Sequence, residues 1–273
     1  TSKKGDAESF AKRISQQSEL LVIAAGGDGT YNEVANGLIY SDIPMAILPL
    51  GTTSVLAKEL KIPDGLENAL DIALTGKIQT IHLGRITCTC HSSLVTRHFL
   101  LMAGIGFDGE TVYGADEKIK KLSGKGAYIL SGIKTLLNYN PEPIIINAQI
   151  PPTPPFTKGG EGGLLKVAGY TAIVGKASCY GGEFKITPDA RLTEPYFYVF
   201  LARKGRRLDL IRYIAGIVTG KHLGLRDISY FKTSEIGIEG NAHIQIDGDY
   251  LGKLPAGISL AVDALRLVTP HNV

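Results

Sequence analysis

Two apolar strand-like segments, each ending in a glycine-containing turn that leads into a helix, constrain the fold of this 273-residue chain most strongly. Residues 20–25 form a continuous apolar run, which is typical of a strand covered on both faces. The turn at residues 26–29 ends this run, and apolar residues then repeat at helical spacing. Residues 45–50 form a second such strand, which Gly51 follows. This repetition predicts a parallel sheet flanked by helices.

The sequence changes in character after about residue 84. Short apolar segments joined by glycine-containing turns predict a mostly antiparallel sandwich or barrel. Helices are predicted at residues 119–137 and 208–218, and the proline-rich segment 151–163 is expected to be an exposed loop. We therefore expect an α/β plus all-β protein. Its α/β domain covers residues 1–85, its β domain covers residues 86–263, and residues 264–273 return to the first domain.

Composition excludes several classes of protein. Hydrophobic residues make up 44% of the chain and charged residues 20%, which rules out a wholly disordered chain. No apolar run approaches the ~20 residues that a membrane-spanning helix needs. Three cysteines are too few for a disulfide framework, so a reducing cytoplasm is the expected compartment.

The net charge of +3 does not indicate a nucleic-acid partner, but basic residues concentrate in two segments. Residues 118–125 contain four lysines, and residues 203–226 contain seven basic residues against the single acid Asp209. These groups are either solvated helix faces or a surface that meets anionic lipid head groups. The helix predicted in the second segment carries one apolar stripe, made of Leu208, Ile211, Ala215 and Val218.

The first glycine turn has the features of a phosphate site. Glycines let a ligand approach the main chain, and the helix that follows presents N–H groups and the positive end of its dipole. Thr30 and Glu33 have the spacing of a capping box, which accounts for both without a ligand. Asp28 is different, because a carboxylate repels phosphate unless a metal ion mediates or the acid handles a proton. The alternative is a tight-turn aspartate without a catalytic role. The turn at Gly51 is expected to face the same crevice.

Five segments, in order along the chain, resemble the diacylglycerol kinase catalytic-domain family, which includes bacterial lipid kinases and the sphingosine and ceramide kinases. They are residues 26–34 (beginning Gly-Gly-Asp-Gly-Thr), 48–52, 103–108, 180–190 and 245–249. The similarity covers nearly the whole chain and is greatest to the soluble bacterial members. It implies an NAD-kinase-like α/β nucleotide-binding domain followed by a β-sandwich, with ATP in the cleft.

The resemblance also implies ATP and Mg²⁺ as cofactors and assigns site residues. Asp249 stands where the family has a catalytic glutamate and would accept the proton of the acceptor hydroxyl. Asp28 would orient magnesium-ATP. The alternative for residues 245–249 is a hairpin turn at Asp247 and Gly248, with Asp249 as a polar neighbour of that turn. The implied nucleotide-binding residues are Thr1, Gly26, Gly27, Asp28, Gly29, Thr30, Tyr31, Asn32, Gly51, Thr52 and Ser54.

The sequence departs from the family at several positions. Ser54 replaces an asparagine, and Glu194-Pro195 replaces an Asp-Gly pair that helps to hold a structural magnesium in bacterial relatives. The expected ligands here are Glu194 and the backbone carbonyls of Arg191 and Tyr196. The family also has roughly 40 residues, one strand–helix unit, before the equivalent of Thr1.

The resulting expectation is an ATP-dependent lipid kinase that phosphorylates diacylglycerol to phosphatidic acid. It would be cytoplasmic and peripheral at the inner membrane surface, where it meets its lipid substrate. The sequence does not decide between a monomer and a homodimer. The alternatives are a kinase of a soluble acceptor such as NAD and a catalytically idle nucleotide- or lipid-binding regulator. Two weaker candidates are a nucleophilic Cys179 and a metal site, whose residues would be Cys88, Cys90, His91 and His98.

Overall fold

The computed structural model describes residues 1–17, 20–51, 54–90, 93–114, 136, 138–151, 163–181 and 184–271. Several sequence-based expectations fall outside these residues: Thr52, His91, the lysines between 118 and 125, nearly all of the predicted helix 119–137, and the loop between 151 and 163.

The first part of the chain alternates helices and strands, as predicted. Its elements are α1 (Asp6–Ile14), β1 (Val22–Gly26), α2 (Asp28–Leu38), β2 (Met45–Pro49), α3 (Val55–Glu59) and α4 (Leu66–Thr75). The strands β1 and β2 are parallel, with Val22 opposite Met45, which confirms the predicted parallel pair. β2 is buried, but β1 is less covered than the apolar run predicted, since Leu20, Leu21 and Ile23 are each 37% exposed. Within the described residues β1 pairs with β2 alone, so it lies at an edge.

The rest of the chain is mostly antiparallel sheet, again as predicted. Its elements are β3 (Lys77–Cys90), β4 (Ser93–Phe99), β5 (Met102–Ile105), α5 (Phe107–Tyr113), β6 (Ile144–Ile150), β7 (Gly163–Gly169), β8 (Thr171–Gly175), β9 (Cys179–Tyr180), β10 (Phe184–Lys185), β11 (Phe197–Ala202), α6 (Arg207–Val218), a 3₁₀ turn (His222–Gly224), β12 (Ile228–Thr233), β13 (Glu235–Glu239), β14 (His243–Ile246) and β15 (Asp249–Thr269). Buried aliphatic side chains and the stacked rings of Phe99 and Phe197, with centroids 5.9 Å apart, fill the sandwich.

Two long strands run through both parts of the molecule. β3 and β15 are antiparallel partners from the pair Thr89–Lys253 to the pair Lys77–Thr269. Near its end β15 also lies beside β2, where Leu267 is opposite Met45. The sheet of the α/β part and the sandwich are therefore one continuous hydrogen-bonded structure.

Polar contacts fix the orientation of the two parts across the cleft between them. Glu8 of α1 accepts two hydrogen bonds from the Arg97 guanidinium of β4, at 2.7 and 3.0 Å. Glu59, at the end of α3, accepts from the main-chain N–H groups of Ser178 and Cys179, both at 3.0 Å. Bidentate and charge-assisted bonds of this kind have a defined geometry, so they restrict how the two parts are oriented.

The apolar stripe predicted on α6 is present, but it faces solvent. The opposite side of the helix packs against the protein through Leu210, Tyr213 and Gly216. Leu208 is 80% exposed and Val218 57% exposed. The helix therefore has two apolar sides. The hydrophobic period of the sequence did not show which of them packs against the core.

Candidate active site

The two glycine turns lie against each other at the carboxyl ends of β1 and β2. The Gly26 carbonyl accepts hydrogen bonds from the N–H groups of Leu50 (3.0 Å) and Gly51 (3.3 Å). α2 begins directly after Gly27, and no side chain caps it. A Cβ atom on Gly27 or Gly29 would meet no atom of the described residues within 4 Å, so this side of the turn is open among them. An open, uncapped helix start beside a second turn is a suitable place for phosphate groups.

The Asp28 carboxylate joins the two turns. Its oxygens accept hydrogen bonds from the main-chain N–H groups of Val55 (2.9 Å) and Leu56 (3.0 Å) at the start of α3. Burial raises the pKa of Asp28, and these two N–H donors oppose the change. The structure thus gives this acid a positioning role that the sequence did not suggest. A contact to magnesium-ATP stays a prediction.

The predicted capping box of Thr30 and Glu33 is wrong. α2 begins at Asp28, so Thr30 lies inside its first turn. The Glu33 carboxylate instead accepts from the N–H groups of Gly5 (2.8 Å) and Ala7 (3.2 Å), where it caps α1. Thr30 packs against the turn: a Cβ atom on Gly26 would lie 2.7 Å from its hydroxyl oxygen. Glycine at position 26 is therefore a steric requirement.

The side chains of Tyr31 and Ser54 belong to the scaffold and do not line the open turn. Tyr31 is fully buried, its hydroxyl lies 2.8 Å from the Gly26 carbonyl oxygen, and burial raises its pKa to about 12. Ser54 is buried and accepts from the N–H of Ala57 (3.2 Å), so it caps α3. The expected nucleotide contacts of these two residues are thus limited to their main chains. Thr1 is exposed ahead of α1, and its nucleotide contact stays a prediction.

Asp247 and Gly248 form a two-residue hairpin turn between β14 and β15, with φ values of 47° and 89°. Asp247 as a whole is partly exposed, but its carboxylate accepts from four N–H donors at 2.7–3.0 Å: the Asn32 side-chain amide and the main-chain groups of Leu100, Leu101 and Met102. Burial raises the pKa of Asp247 to about 6, and these donors oppose the change. The turn that the sequence offered as an alternative is present, and it is fixed to α2.

Asn32 was predicted to bind nucleotide, but its amide is engaged elsewhere. Its nitrogen donates to Asp247 (2.8 Å) and to the main-chain oxygen of His98 (3.0 Å). It therefore connects the helix of the glycine turn to the hairpin that carries Asp249.

Asp249 is the first residue of β15, two residues beyond Asp247. Its side chain is 47% exposed, and its Oδ2 atom is 2.9 Å from the Lys4 ammonium. Sequence reasoning missed Lys4, because nothing in its local pattern distinguishes it from other exposed lysines. The pair combines an accessible carboxylate with a positive charge that would attract phosphate groups.

A buried polar network behind the hairpin was also missed. Gln245 donates to Asp108 of α5 at 2.5 Å and accepts from the N–H of Gly248 at 2.7 Å. The Tyr180 hydroxyl donates to the other oxygen of Asp108. The segments that contain these residues were noted in the sequence, but their convergence depends on the packing of α5 on β14.

Comparison with known proteins assigns this arrangement to a family. Residues 1–86 match the diacylglycerol kinase catalytic domain, and residues 102–269 match the YegS C-terminal NAD kinase beta sandwich-like domain. The chain belongs to the diacylglycerol kinase family. It is therefore an enzyme of the lipid-kinase type, and a nucleotide is one of its substrates.

Relatives of this kinase align over most of their own length. The chain is 29% identical to a diacylglycerol kinase of Bacillus subtilis (strain 168), over 98% of this chain and 84% of the relative. It is 26% identical to one of Staphylococcus carnosus (strain TM300), over 100% and 84%. The crystal structure of a putative diacylglycerol kinase from Bacillus anthracis str. Sterne has a TM-score of 0.74 and 19% identity, with 100% of this chain and 85% of that chain covered. This likeness shows that the two share the fold.

The residues of this kinase do not fit the structural magnesium that the resemblance implied. The backbone carbonyls of Arg191 and Glu194 both accept hydrogen bonds from the Lys176 ammonium, the second at 2.7 Å. The Tyr196 ring lies under the Lys232 ammonium at 4.8 Å. In the described ranges, no group of three His, Cys, Asp or Glu side chains is arranged to hold a metal ion. These contacts do not support the expected metal at Arg191, Glu194 and Tyr196, which stays a prediction.

Two of the cysteines are in surroundings that disfavour the reactive thiolate. Cys88 and Cys179 are buried, and burial raises the pKa of each thiol, that of Cys88 to about 11. A raised pKa keeps a thiol protonated at neutral pH, and a protonated thiol is a poor nucleophile and metal ligand.

Proposed function

We propose that this kinase transfers the γ-phosphate of ATP to the hydroxyl of diacylglycerol and releases phosphatidic acid and ADP. The observation that carries the proposal is the contact between Asn32 and Asp247, at 2.8 Å. It ties the helix of the open glycine turn to the hairpin that carries Asp249, and this supports one shared site in which the turn would bind phosphate and Asp249 would act as the base. The names of the relatives support diacylglycerol as the acceptor.

Asp249 is the base in this mechanism. The acceptor oxygen attacks the γ-phosphorus, the bond from that phosphorus to the bridging oxygen of ADP breaks, and the hydroxyl proton passes to Asp249. Lys4 occupies Oδ2 of Asp249, so we assign Oδ1 to the acceptor. Asp249 is one methylene shorter than the family's glutamate, and a single water or a small shift of the hairpin would cover the difference.

The main chain at residues 26–29 would hold the phosphates of ATP, because the helix start is open and has no side-chain cap. Mg²⁺, when bound with ATP, would neutralise the charge of the phosphate oxygens. Asp28 is the carboxylate of this chain at the turn, and each of its oxygens keeps a lone pair beyond the bond to the α3 amide groups.

A phosphoryl-transfer assay tests the function. Labelled ATP is offered with diacylglycerol, sphingosine, ceramide or NAD, and the products are separated by thin-layer chromatography. We expect labelled phosphatidic acid, loss of that product in Asp249→Asn, and full activity in Asp71→Asn, a matched change at an exposed aspartate of α4. Phosphorylation of NAD alone would support the soluble-acceptor alternative, and no transfer to any acceptor would support the idle regulator.

We propose that the outer face of α6 meets the lipid surface that holds the acceptor. An acceptor with long acyl chains lies in a lipid layer, so some surface of the kinase has to contact that layer. In the described residues, no helix has the length and apolarity to cross a bilayer. The exposed apolar stripe through Leu208, Ile211 and Val218 lies beside the exposed Arg206 and Arg207. Apolar insertion flanked by arginines is suited to an anionic bilayer, where each basic residue contributes about 1 kcal/mol.

Vesicle sedimentation tests this face. Binding should strengthen with the anionic lipid fraction and weaken with salt. The double change Arg206→Glu and Arg207→Glu, or Leu208→Ser with Val218→Ser, should release the protein, whereas Lys232→Glu on β12 is the control away from the helix. Unchanged vesicle affinity in both double variants would show that α6 is only a solvated face.

A further inference from the structure

Lys176, in the turn that follows β8, is a fully buried lysine. A buried ammonium is costly unless hydrogen-bond acceptors surround it. Here the acceptors are main-chain carbonyls, those of Arg191 and Glu194, three residues apart in one loop. The carboxylates of Glu194 and Glu59 add favourable charge from two directions.

The loop that supplies these carbonyls has several other contacts. Leu192 is in the core, and the main-chain N–H of His82, on β3, donates to the Leu192 carbonyl at 3.0 Å. Lys176 connects the same loop to the turn after β8, where its own main-chain N–H donates to the Leu101 carbonyl at 2.8 Å. The ammonium thus closes the loop onto the turn that contains Ser178, whose N–H binds Glu59 of α3.

The position of the ammonium excludes a metal ion at the same carbonyls. Mg²⁺ or Ca²⁺ binds oxygen at about 2.0–2.6 Å, and the Lys176 nitrogen already lies 2.7 Å from the Glu194 carbonyl oxygen. Both cations would need the same space. A fixed positive charge on the chain also lacks the entropy cost of capturing a free ion.

We propose that the Lys176 ammonium is the built-in cation of this loop, so that the kinase closes residues 191–194 without a divalent structural metal. Lys176 is a positioning residue: it orders the loop and, through Ser178 and Glu59, the end of α3. The proposal concerns folding and does not depend on the acceptor or on the base.

Thermal unfolding without nucleotide tests it. The wild-type melting temperature should be the same, within about 1 °C, in EDTA and in millimolar Mg²⁺ or Ca²⁺. Lys176→Met keeps the length of the side chain without its charge and should lower the melting temperature by roughly 5–10 °C. Lys166→Met, at an exposed lysine of β7, should change it little.

Two results would overturn the proposal. One is a wild-type melting temperature that rises by several degrees with divalent ions and loses this increase in Glu194→Gln, since that would place a metal in the loop. The other is a Lys176→Met protein as stable as the wild type. If Lys176→Met does not fold, the wild-type comparison with and without metal still decides between the two cations.

Discussion

Replacing Asp247 by asparagine should separate the role of the hairpin turn in the fold from its role in catalysis. The Asp247 carboxylate accepts four N–H groups, two on each oxygen: Asn32 and Leu100 on Oδ2, Leu101 and Met102 on Oδ1. Asparagine has one oxygen and one NH₂ group. Whichever way its amide is oriented, an NH₂ group faces two N–H donors.

The expected fall in the free energy of unfolding follows from the number of hydrogen bonds lost. Two hydrogen bonds to a charged acceptor are lost, each worth about 1.5–3 kcal/mol, so the free energy of unfolding should fall by about 3–6 kcal/mol. For a protein of this size this corresponds to a fall in melting temperature of roughly 10 °C or more. The side-chain volume is unchanged, so packing does not contribute.

Urea unfolding of Asp247→Asn beside Asp249→Asn measures the effect. Asp249 is in the same hairpin, but it is half exposed and has one ion pair, to Lys4. Its replacement should cost at most about 1 kcal/mol while activity is lost. Equal stabilities of the two variants would refute the assignment of Asp247 as the residue that fixes the turn to α2.

Three further outcomes are expected. Asp249→Glu should keep turnover of at least the same order as the wild type while Asp249→Asn loses it with ATP binding retained; an active asparagine variant would remove Asp249 as the base. Asp28→Asn should cut phosphoryl transfer by roughly 10²-fold with the fold retained, and near-normal turnover would remove Asp28 from the mechanism. Burial, with Arg85 and Arg97 nearby, lowers the pKa of His98 to about 4. Between pH 6.5 and pH 4, His98 is therefore protonated in the unfolded chain and neutral in the folded chain. Stability should therefore fall as the pH drops from 6.5 to 4.5, by up to about 2 kcal/mol after allowance for partial exposure; His98→Gln should weaken this dependence, and an unchanged pH profile in urea titrations would contradict it.

The sequence predicted those parts of the fold that local patterns encode. Two apolar runs that end in glycine turns were enough for the parallel pair β1–β2 and for the contact between the turns. The hairpin at Asp247 and Gly248 followed from turn chemistry. The short apolar segments after residue 84 predicted an antiparallel sandwich or barrel, and the family resemblance favoured the sandwich. The resemblance also supplied the position of Asp249, which no local pattern distinguishes from a turn residue.

The remaining features depend on partners distant in the chain. Glu33 has the spacing of a capping box, but its carboxylate accepts a hydrogen bond from the start of α1 and does not cap its own helix. Asp28 has the position of a phosphate-site acid, and its carboxylate also accepts two main-chain N–H groups at the start of α3. Lys176 is 15 residues from Arg191, whose carbonyl it binds. The hydrophobic period of α6 is consistent with burial of either of its two apolar sides. Each outcome was decided by tertiary contacts that a single sequence does not display.

The long ladder between β3 and β15 has a consequence for the order of folding during synthesis. N-terminal domains generally fold first, as the chain leaves the ribosome. Here β15, the partner of β3, comes more than 150 residues later in the chain. Met45 of β2 gains its neighbour Leu267 only after β15 has been synthesised. The nucleotide-binding part therefore cannot complete its sheet until Leu267 has been synthesised. Such pairings between distant segments close slowly, so the nascent α/β segment leaves an apolar strand edge exposed throughout translation, which is where chaperones are expected to bind.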